Sequence, residues 1–148
     1  MDIIKYPNDI LNQVCVDVSP EDMNESLQKT MDDMIELMLS KQGIGLSAPQ
    51  IGVSKRYCVV HIPHFDTPPI YIINPIIKEH TDDIVKFEES CLSFPEMIKQ
   101  INRYSSIIVS CLNRDFKSTT LRLNGLFAIC VQHEIDHLDG ITINDKRQ

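Results

Sequence analysis

Residues 124–140 read NGLFAICVQHEIDHLDG and contain the strongest helix signal in the sequence. Asn124 suits the N-cap position, the spacing of the apolar residues predicts a helix over 126–138, and Gly140 suits the helix end. Apolar residues fill the first half of this helix (LFAICV) and lead directly into the second half. The segment therefore predicts a helix that packs against a core rather than one that lies free on the surface.

The same segment contains the pattern H-E-x-x-H. His133 and His137 are four residues apart, so a helix brings both side chains to one face, where they can reach one metal ion. Two histidines do not complete a metal site, and the only acids after the motif are Asp139, on another helix face, and Asp145, in the tail. A third ligand must therefore come from upstream. The candidates are the carboxylates, the cysteines and three histidines, His61, His64 and His80.

Cys91 differs from the other cysteines in its surroundings. Carboxylates and serines flank it in residues 88–95, EESCLSFP, which predicts a loop. Near a dication a cysteine binds as the thiolate, for which zinc and ferrous iron both have affinity. The five cysteines are scattered and form no C-x-x-C pair, so the remaining four are predicted to be small buried apolar residues in a reducing compartment. These four are Cys15, Cys58, Cys111 and Cys130.

Length and composition are those of one globular domain, residues 1–148, with 43% hydrophobic residues. The formal net charge of −7 leaves no basic stripe for phosphates, so nucleic-acid binding is not expected. No apolar run approaches the roughly 18 residues needed to cross a bilayer. The first ten residues, MDIIKYPNDI, lack the features of a secretory signal. We therefore expect a cytoplasmic protein without a membrane partner.

The rest of the sequence predicts one more helix and several strands. The helix begins at Ser19 as N-cap with Pro20 in the first position, carries an apolar stripe from Met23 to Met38, and stops at Gly43. Segments rich in β-branched and aromatic residues predict four strands. They are residues 57–62, 70–77, 106–112 and 119–123, with a turn at 113–115. A helix, a run of strands and a second helix indicate an α+β fold.

Three segments together resemble peptide deformylase. Residues 43–50, GIGLSAPQ, resemble its first motif, G-x-G-L-A-A-x-Q; residues 89–93, ESCLS, resemble its second, E-G-C-L-S. Residues 132–137, QHEIDH, resemble its third, Q-H-E-x-D-H. The order and spacing also fit, and the resemblance covers almost the whole chain. It implies an α+β fold in which antiparallel sheets surround a central helix that carries the H-E-x-x-H motif.

The resemblance also implies a reaction, the removal of the N-formyl group from formyl-methionyl peptides and nascent chains with release of formate. It implies one metal ion held by Cys91, His133 and His137, with water in the fourth position. Ferrous iron is the expected native ion, and zinc, nickel or cobalt can replace it. Glu134 would act as general base and acid. The Gln50 side chain and the Leu92 backbone N–H would stabilise the oxyanion.

Further roles are implied for residues around this centre. Peptide contacts are expected along the first motif, at Gly43, Ile44, Gly45 and Leu46, where the glycines would let the backbone approach the substrate. Ile129, Cys130 and His133 are expected to line the pocket for the methionine side chain. Glu89 and Arg103 are expected to pair behind the metal ligands. Asp136 is expected to anchor its helix.

The sequence departs from the family pattern at several positions. Ser47 replaces an alanine and Pro49 stands at a variable position, and neither side chain is expected to take part in the chemistry. Ser90 replaces a glycine and is expected either to narrow the cleft or to alter the backbone where the substrate pairs. Ile98 stands where many relatives have an arginine near the cleft, so different contacts to the peptide backbone are expected.

The C-terminal end also differs from many bacterial relatives, which continue into a helix that docks on the ribosome. Short forms resemble the deformylases encoded by bacteriophages, which would place the protein in a host cytoplasm. Stable ribosome docking is therefore not expected. Two alternatives remain at this point. One is a zincin-like metallopeptidase, which shares H-E-x-x-H, and the other is a catalytically silent relative that binds metal or peptide.

Overall fold

The computed structural model describes residues 1–146, in which two α-helices and seven β-strands are joined by short 3₁₀ turns. The helices are α1 (Glu25–Ser40) and α2 (Gly125–Leu138). The strands are β1 (Gly45–Ser47), β2 (Tyr57–Val60), β3 (Ile70–His80), β4 (Ile84–Cys91), β5 (Phe94–Tyr104), β6 (Ser106–Leu112) and β7 (Ser118–Asn124). All the strand pairs are antiparallel, in a five-stranded sheet of order β1-β2-β3-β6-β7 and a separate β4-β5 hairpin.

At β1 and β2 the five-stranded sheet is covered on both faces, by α2 on one side and by α1 on the other. Successive side chains of a strand point to opposite faces, and in β2 the residues Cys58 and Val60 join the core that contains α2, whereas Tyr57 and Val59 join the core that contains α1. The methionine stripe of α1, which includes Met34, fills the second of these cores. Burial on both faces explains why β2 is apolar at every position.

Helix α2 lies between the two sheets. It packs on β1 and β2 of the larger sheet and on β5 of the hairpin. Gln132 connects it to the hairpin, because its amide donates to the Tyr104 carbonyl at 2.8 Å and accepts from the Tyr104 N–H at 3.0 Å. The predicted α+β fold with a central helix is therefore confirmed. Within residues 1–146 neither helix has the length and apolarity required to span a membrane.

The boundaries of α1 differ from the predictions at both ends, whereas those of α2 agree with them to within one residue. Helix α1 begins after Asn24, whose side chain accepts from the Leu27 N–H at 3.1 Å; the predicted start at Ser19 is wrong, because residues 20–22 form a separate 3₁₀ turn. At the other end Gln42, not Gly43, adopts the left-handed conformation. For α2, Asn124 occupies the N-cap position without a side-chain capping bond, and Gly140 ends the helix as predicted.

The four predicted strands are all present, but the β4-β5 hairpin was not predicted. The loop expected around Cys91 is wrong: this cysteine is the last residue of β4 and pairs with Phe94 of β5 across a two-residue turn. The four other cysteines are buried and free, as predicted.

Candidate metal centre and cleft

Helix α2 and the end of β4 bring three metal-binding side chains together. The donor atoms of Cys91, His133 and His137 all lie within 4.8 Å of one another, and all three side chains are buried or nearly so. The helical spacing puts both histidines on one face, and their rings meet edge to face with centroids 5.0 Å apart. Cys91 Sγ lies 3.3 Å from His137 Nε2. The sequence left three kinds of upstream residue open as the third ligand: carboxylates, cysteines and histidines. The structure brings a cysteine, Cys91, to His133 and His137.

A buried ion-pair network orients His133. Its Nδ1 lies 2.9 Å from Glu89 Oε1, and because a carboxylate only accepts, Nδ1 carries the proton and Nε2 is left for a metal. Arg103 holds the same carboxylate through two hydrogen bonds of 2.8 Å and also donates to Asp136 on α2. Arg103 is 3% exposed and Glu89 5%. The pairing of Glu89 with Arg103 and the structural role of Asp136 agree with the sequence prediction.

Burial and neighbouring charges shift the pKa values of this centre in different directions. Burial raises the pKa of Glu134 to about 7, and burial lowers the pKa of His137 well below its usual value. Burial alone would raise the pKa of Glu89, but the hydrogen bonds from Arg103 and His133 lower it to about 2. Burial also disfavours charge on His133, yet the facing Glu134, Cys91 and Glu89 raise its pKa well above the usual value.

The donor set fits a divalent transition metal. One thiol and two imidazoles are ligands that zinc and ferrous iron prefer, and one of the imidazoles has the carboxylate partner that metal-bound histidines usually have. Glu134 is 3% exposed, and its Oε1 is buried with no hydrogen-bond partner among residues 1–146. Burying a carboxylate oxygen without a hydrogen-bond partner destabilises the folded protein. Its place beside three such ligands therefore indicates that Glu134 has a function at this centre.

Gln50 approaches the centre from a 3₁₀ turn, Ala48–Ile51, that follows β1. Its amide Nε2 donates to Ser93 Oγ at 3.1 Å and lies 3.6 Å from Cys91 Sγ. Its Oε1 accepts from both the backbone N–H and the hydroxyl of Ser47, each at 3.0 Å. The predicted oxyanion donor therefore lies beside the cysteine ligand. The contributions of the two serines were not predicted.

A cleft of about 530 Å³ opens onto this centre. Nearly all the residues predicted to bind substrate or act on it line its walls: Gly43, Ile44, Gly45, Gln50, Cys91, Leu92, Ile129, Cys130, His133 and Glu134. Ile3 and Lys5 of the N-terminal segment also line it and were not predicted. The N-terminal segment is fastened there by backbone bonds from Ile4 to Gln50 and from Tyr6 to Ser93.

Two residues that the sequence places at the cleft, Leu46 and Ile98, lie outside its lining. Leu46 is fully buried in the core with α1 and is not among the cleft-lining residues, so its side chain does not contact a peptide there. Ile98 pairs with Ser90 across the hairpin but is 68% exposed and also lies outside the lining, whereas Ser90 is part of it.

The glycines of the first motif have a packing role as well as the predicted one. A Cβ added to Gly45 would lie 3.0 Å from Glu134 Cδ and 3.1 Å from Cγ, with Oε2 nearer still. A Cβ added to Gly43 would meet Leu92 Cδ1 at 2.8 Å. The absent side chains therefore leave room for the carboxylate and for the turn that follows Cys91.

Comparison with known proteins gives a consistent result. The family model described as polypeptide deformylase matches residues 1–148. The peptide deformylase of Hydrogenovibrio crunogenus is 43% identical over 141 residues, which cover 95% of this chain and 81% of that protein. The crystal structure of the Thermotoga maritima peptide deformylase has a TM-score of 0.92 at 36% identity and covers 99% of this chain and 96% of that one. The PDF of Vibrio parahaemolyticus bacteriophage VP16T, solved in complex with actinonin, has a TM-score of 0.87 at 37% identity, covering 97% of this chain and 100% of that one.

Proposed function

This chain belongs to the peptide deformylase family, and we propose that Cys91, His133 and His137 hold the divalent ion with which it removes N-formyl groups from newly made peptides. The observation that carries this proposal is the convergence of the three donor atoms within 4.8 Å, with Glu134 and Gln50 on the same cleft. A zincin-like peptidase would have no use for the Cys91 turn or for the Gln50 amide. Both belong to this centre.

Glu134 moves the proton in this reaction. When bound, the ion supplies Lewis-acid activation of a water molecule and of the formyl carbonyl. The Glu134 carboxylate takes a proton from the attacking water, and a pKa near 7 suits a group that must accept and then release a proton at neutral pH. It then delivers that proton to the nitrogen of the methionine as the C–N bond breaks. The products are formate and a peptide with a free N-terminal amine.

Gln50 and Leu92 act on the carbonyl oxygen. The oxygen gains negative charge when water attacks the formyl carbon, and donors fixed beforehand stabilise it most. The Gln50 Nε2 side of the amide faces the centre, and the Leu92 N–H lies in the two-residue turn directly after Cys91. Loss of one such donor costs roughly 10²–10³ in kcat in other enzymes.

The peptide binds alongside an open strand edge. Strand β1 is an outer strand of the larger sheet, so its free edge can pair with an extended peptide that adds as a further strand. Ile44 and Gly45 contact that peptide through the backbone. Ile129 and Cys130 form the apolar side of the cleft, where an unbranched methionine side chain fits.

Ferrous iron is the proposed native ion. Thiolate and imidazole ligands suit Fe²⁺ as well as Zn²⁺, Ni²⁺ and Co²⁺. A cysteine ligand beside ferrous iron is open to oxidation, so the iron form should lose activity in air sooner than the nickel form. Equal lifetimes of the two forms in air would count against oxidation at this ligand. Elemental analysis of protein purified without oxygen tests the assignment itself, and an ion other than iron would contradict it.

The test is formate release from formyl-Met-Ala-Ser. The protein is purified without oxygen and loaded with ferrous iron, and Glu134→Ala is assayed under the same conditions at matched metal content. Rapid release that disappears in the variant is the expected result. A folded, metal-loaded protein that releases no formate would refute the enzymatic proposal and favour the silent metal-binding or peptide-binding alternative.

A further inference from the structure

The Gln50 amide is held on its oxygen side by one residue, Ser47. The backbone N–H and the hydroxyl of Ser47 both donate to Gln50 Oε1, each at 3.0 Å. Ser47 is 0% exposed and Gln50 1%, so water does not reach this contact from outside. Ser47 is also the N-cap residue of the 3₁₀ turn that carries Gln50. The two side chains are therefore fixed relative to each other by both backbone and hydroxyl.

This contact determines which end of the amide faces the centre. A backbone N–H can only donate, so the amide oxygen must be the atom that faces Ser47. The amide nitrogen is thereby directed toward Ser93 Oγ, at 3.1 Å, and Cys91 Sγ, at 3.6 Å. One N–H of the amide can remain with Ser93 Oγ, while the other, on the side of Cys91, is available to the substrate oxygen. A rotated amide would instead present an acceptor, which repels a developing negative charge.

The Ser47 hydroxyl gives Gln50 Oε1 a second hydrogen bond, in addition to the one from the Ser47 backbone N–H. A second donor on the same oxygen narrows the rotation of the amide and polarises it, so that its N–H groups become better donors. The sequence pattern of the family places alanine at this position, and an alanine would keep the backbone donor and lose the hydroxyl. Serine at position 47 thus differs from the alanine of the family pattern by a hydroxyl, and this hydroxyl contacts the Gln50 amide.

We propose that Ser47 is a positioning residue for the reaction: its hydroxyl holds and polarises the Gln50 amide so that the amide nitrogen is presented to the substrate oxygen. The inference rests on the proposed role of Gln50 in deformylation. It replaces the expectation that the Ser47 side chain takes no part in the chemistry. The role is indirect, because Ser47 does not line the cleft itself.

The kinetic test is Ser47→Ala, alone and combined with Gln50→Ala. Loss of one neutral hydrogen bond predicts a decrease in kcat of roughly threefold to tenfold. The KM should stay unchanged, because the contact matters most when charge develops. In the Gln50→Ala background Ser47→Ala should have no further effect, since the group it acts through is gone. Ser110→Ala, at a half-buried serine on β6, is the matched control.

A spectroscopic measurement tests the contact without turnover. In the zinc-loaded protein the side-chain amide protons of Gln50 should be shifted downfield and exchange slowly with water, and Ser47→Ala should reverse both properties. A Ser47→Ala protein with unchanged kcat, or with the same loss in the Gln50→Ala background, would overturn the inference. A wild-type protein without deformylase activity would refute the proposed function instead, and the amide spectrum would still decide whether Ser47 holds Gln50.

Discussion

Replacing Gly45 with alanine should disable the reaction by moving Glu134. An alanine Cβ would lie 3.0 Å from Glu134 Cδ and 3.1 Å from Cγ, whereas ordinary van der Waals contact begins at 3.4 Å. Oε2 would be the closest atom of all, so the carboxylate must retreat by roughly 0.5–1 Å. A displacement of that size in a reacting group costs up to about 10²-fold. We therefore expect kcat to fall roughly 10- to 100-fold.

The fold should tolerate this substitution, because Gly45 does not have a positive φ and lies in the paired strand β1. Formate release under saturating substrate gives kcat, and thermal unfolding shows whether the protein remains folded. Gly125→Ala is the matched control: its Cβ meets no atom within 4 Å, so the strain of its positive φ lowers stability but leaves kcat unchanged. If Gly45→Ala retained wild-type kcat, or lowered kcat further in the Glu134→Ala background, the steric argument would be refuted.

Three further results are expected. Arg103→Met leaves the Glu89 carboxylate buried without its strongest partner. The free energy of unfolding of the metal-free protein, measured in urea, should therefore fall by about 3–5 kcal/mol. A decrease below about 1 kcal/mol would show that the ion pairs of Arg103 contribute little to stability. Because the pKa of Glu89 is lowered to about 2, its contribution to stability is present above about pH 4.5 and is lost as the pH falls toward 2. Melting curves of wild type and Glu89→Gln across that range should therefore converge at low pH. Because the pKa of His133 is raised, metal must displace its proton, and Cys91 must also bind as the thiolate. Co²⁺ affinity followed by absorbance should therefore fall by at least about tenfold for each pH unit of acidification; an affinity independent of pH would be inconsistent with this.

The central helix could be predicted because several independent signals agree on it. The apolar run before the motif, the cap position of Asn124 and the glycine at 140 all indicate the same segment. In the segment that forms the β4-β5 hairpin, the sequence signals do not agree in this way. On the buried face of β4 the chain places Glu89, whose burial is compensated by pairing with Arg103 of β5 and His133 of α2. A strand whose inward position holds a carboxylate breaks the alternation of apolar and polar residues on which strand prediction depends.

The same distinction separates the residue roles that the sequence revealed from those that it did not. His133 and Cys91 are of uncommon residue types, and together with Glu134 they carry chemistry of their own, so their pattern alone suggests a metal centre. Gly45 and Ser47 act through another residue: one leaves space for Glu134, 89 positions later, and the other holds an amide that a backbone N–H already orients. Their own residue types are ordinary for a turn. Only the distance to the partner distinguishes a glycine that ends a helix from one that leaves room for the Glu134 carboxylate, and that distance depends on how β1 packs against α2.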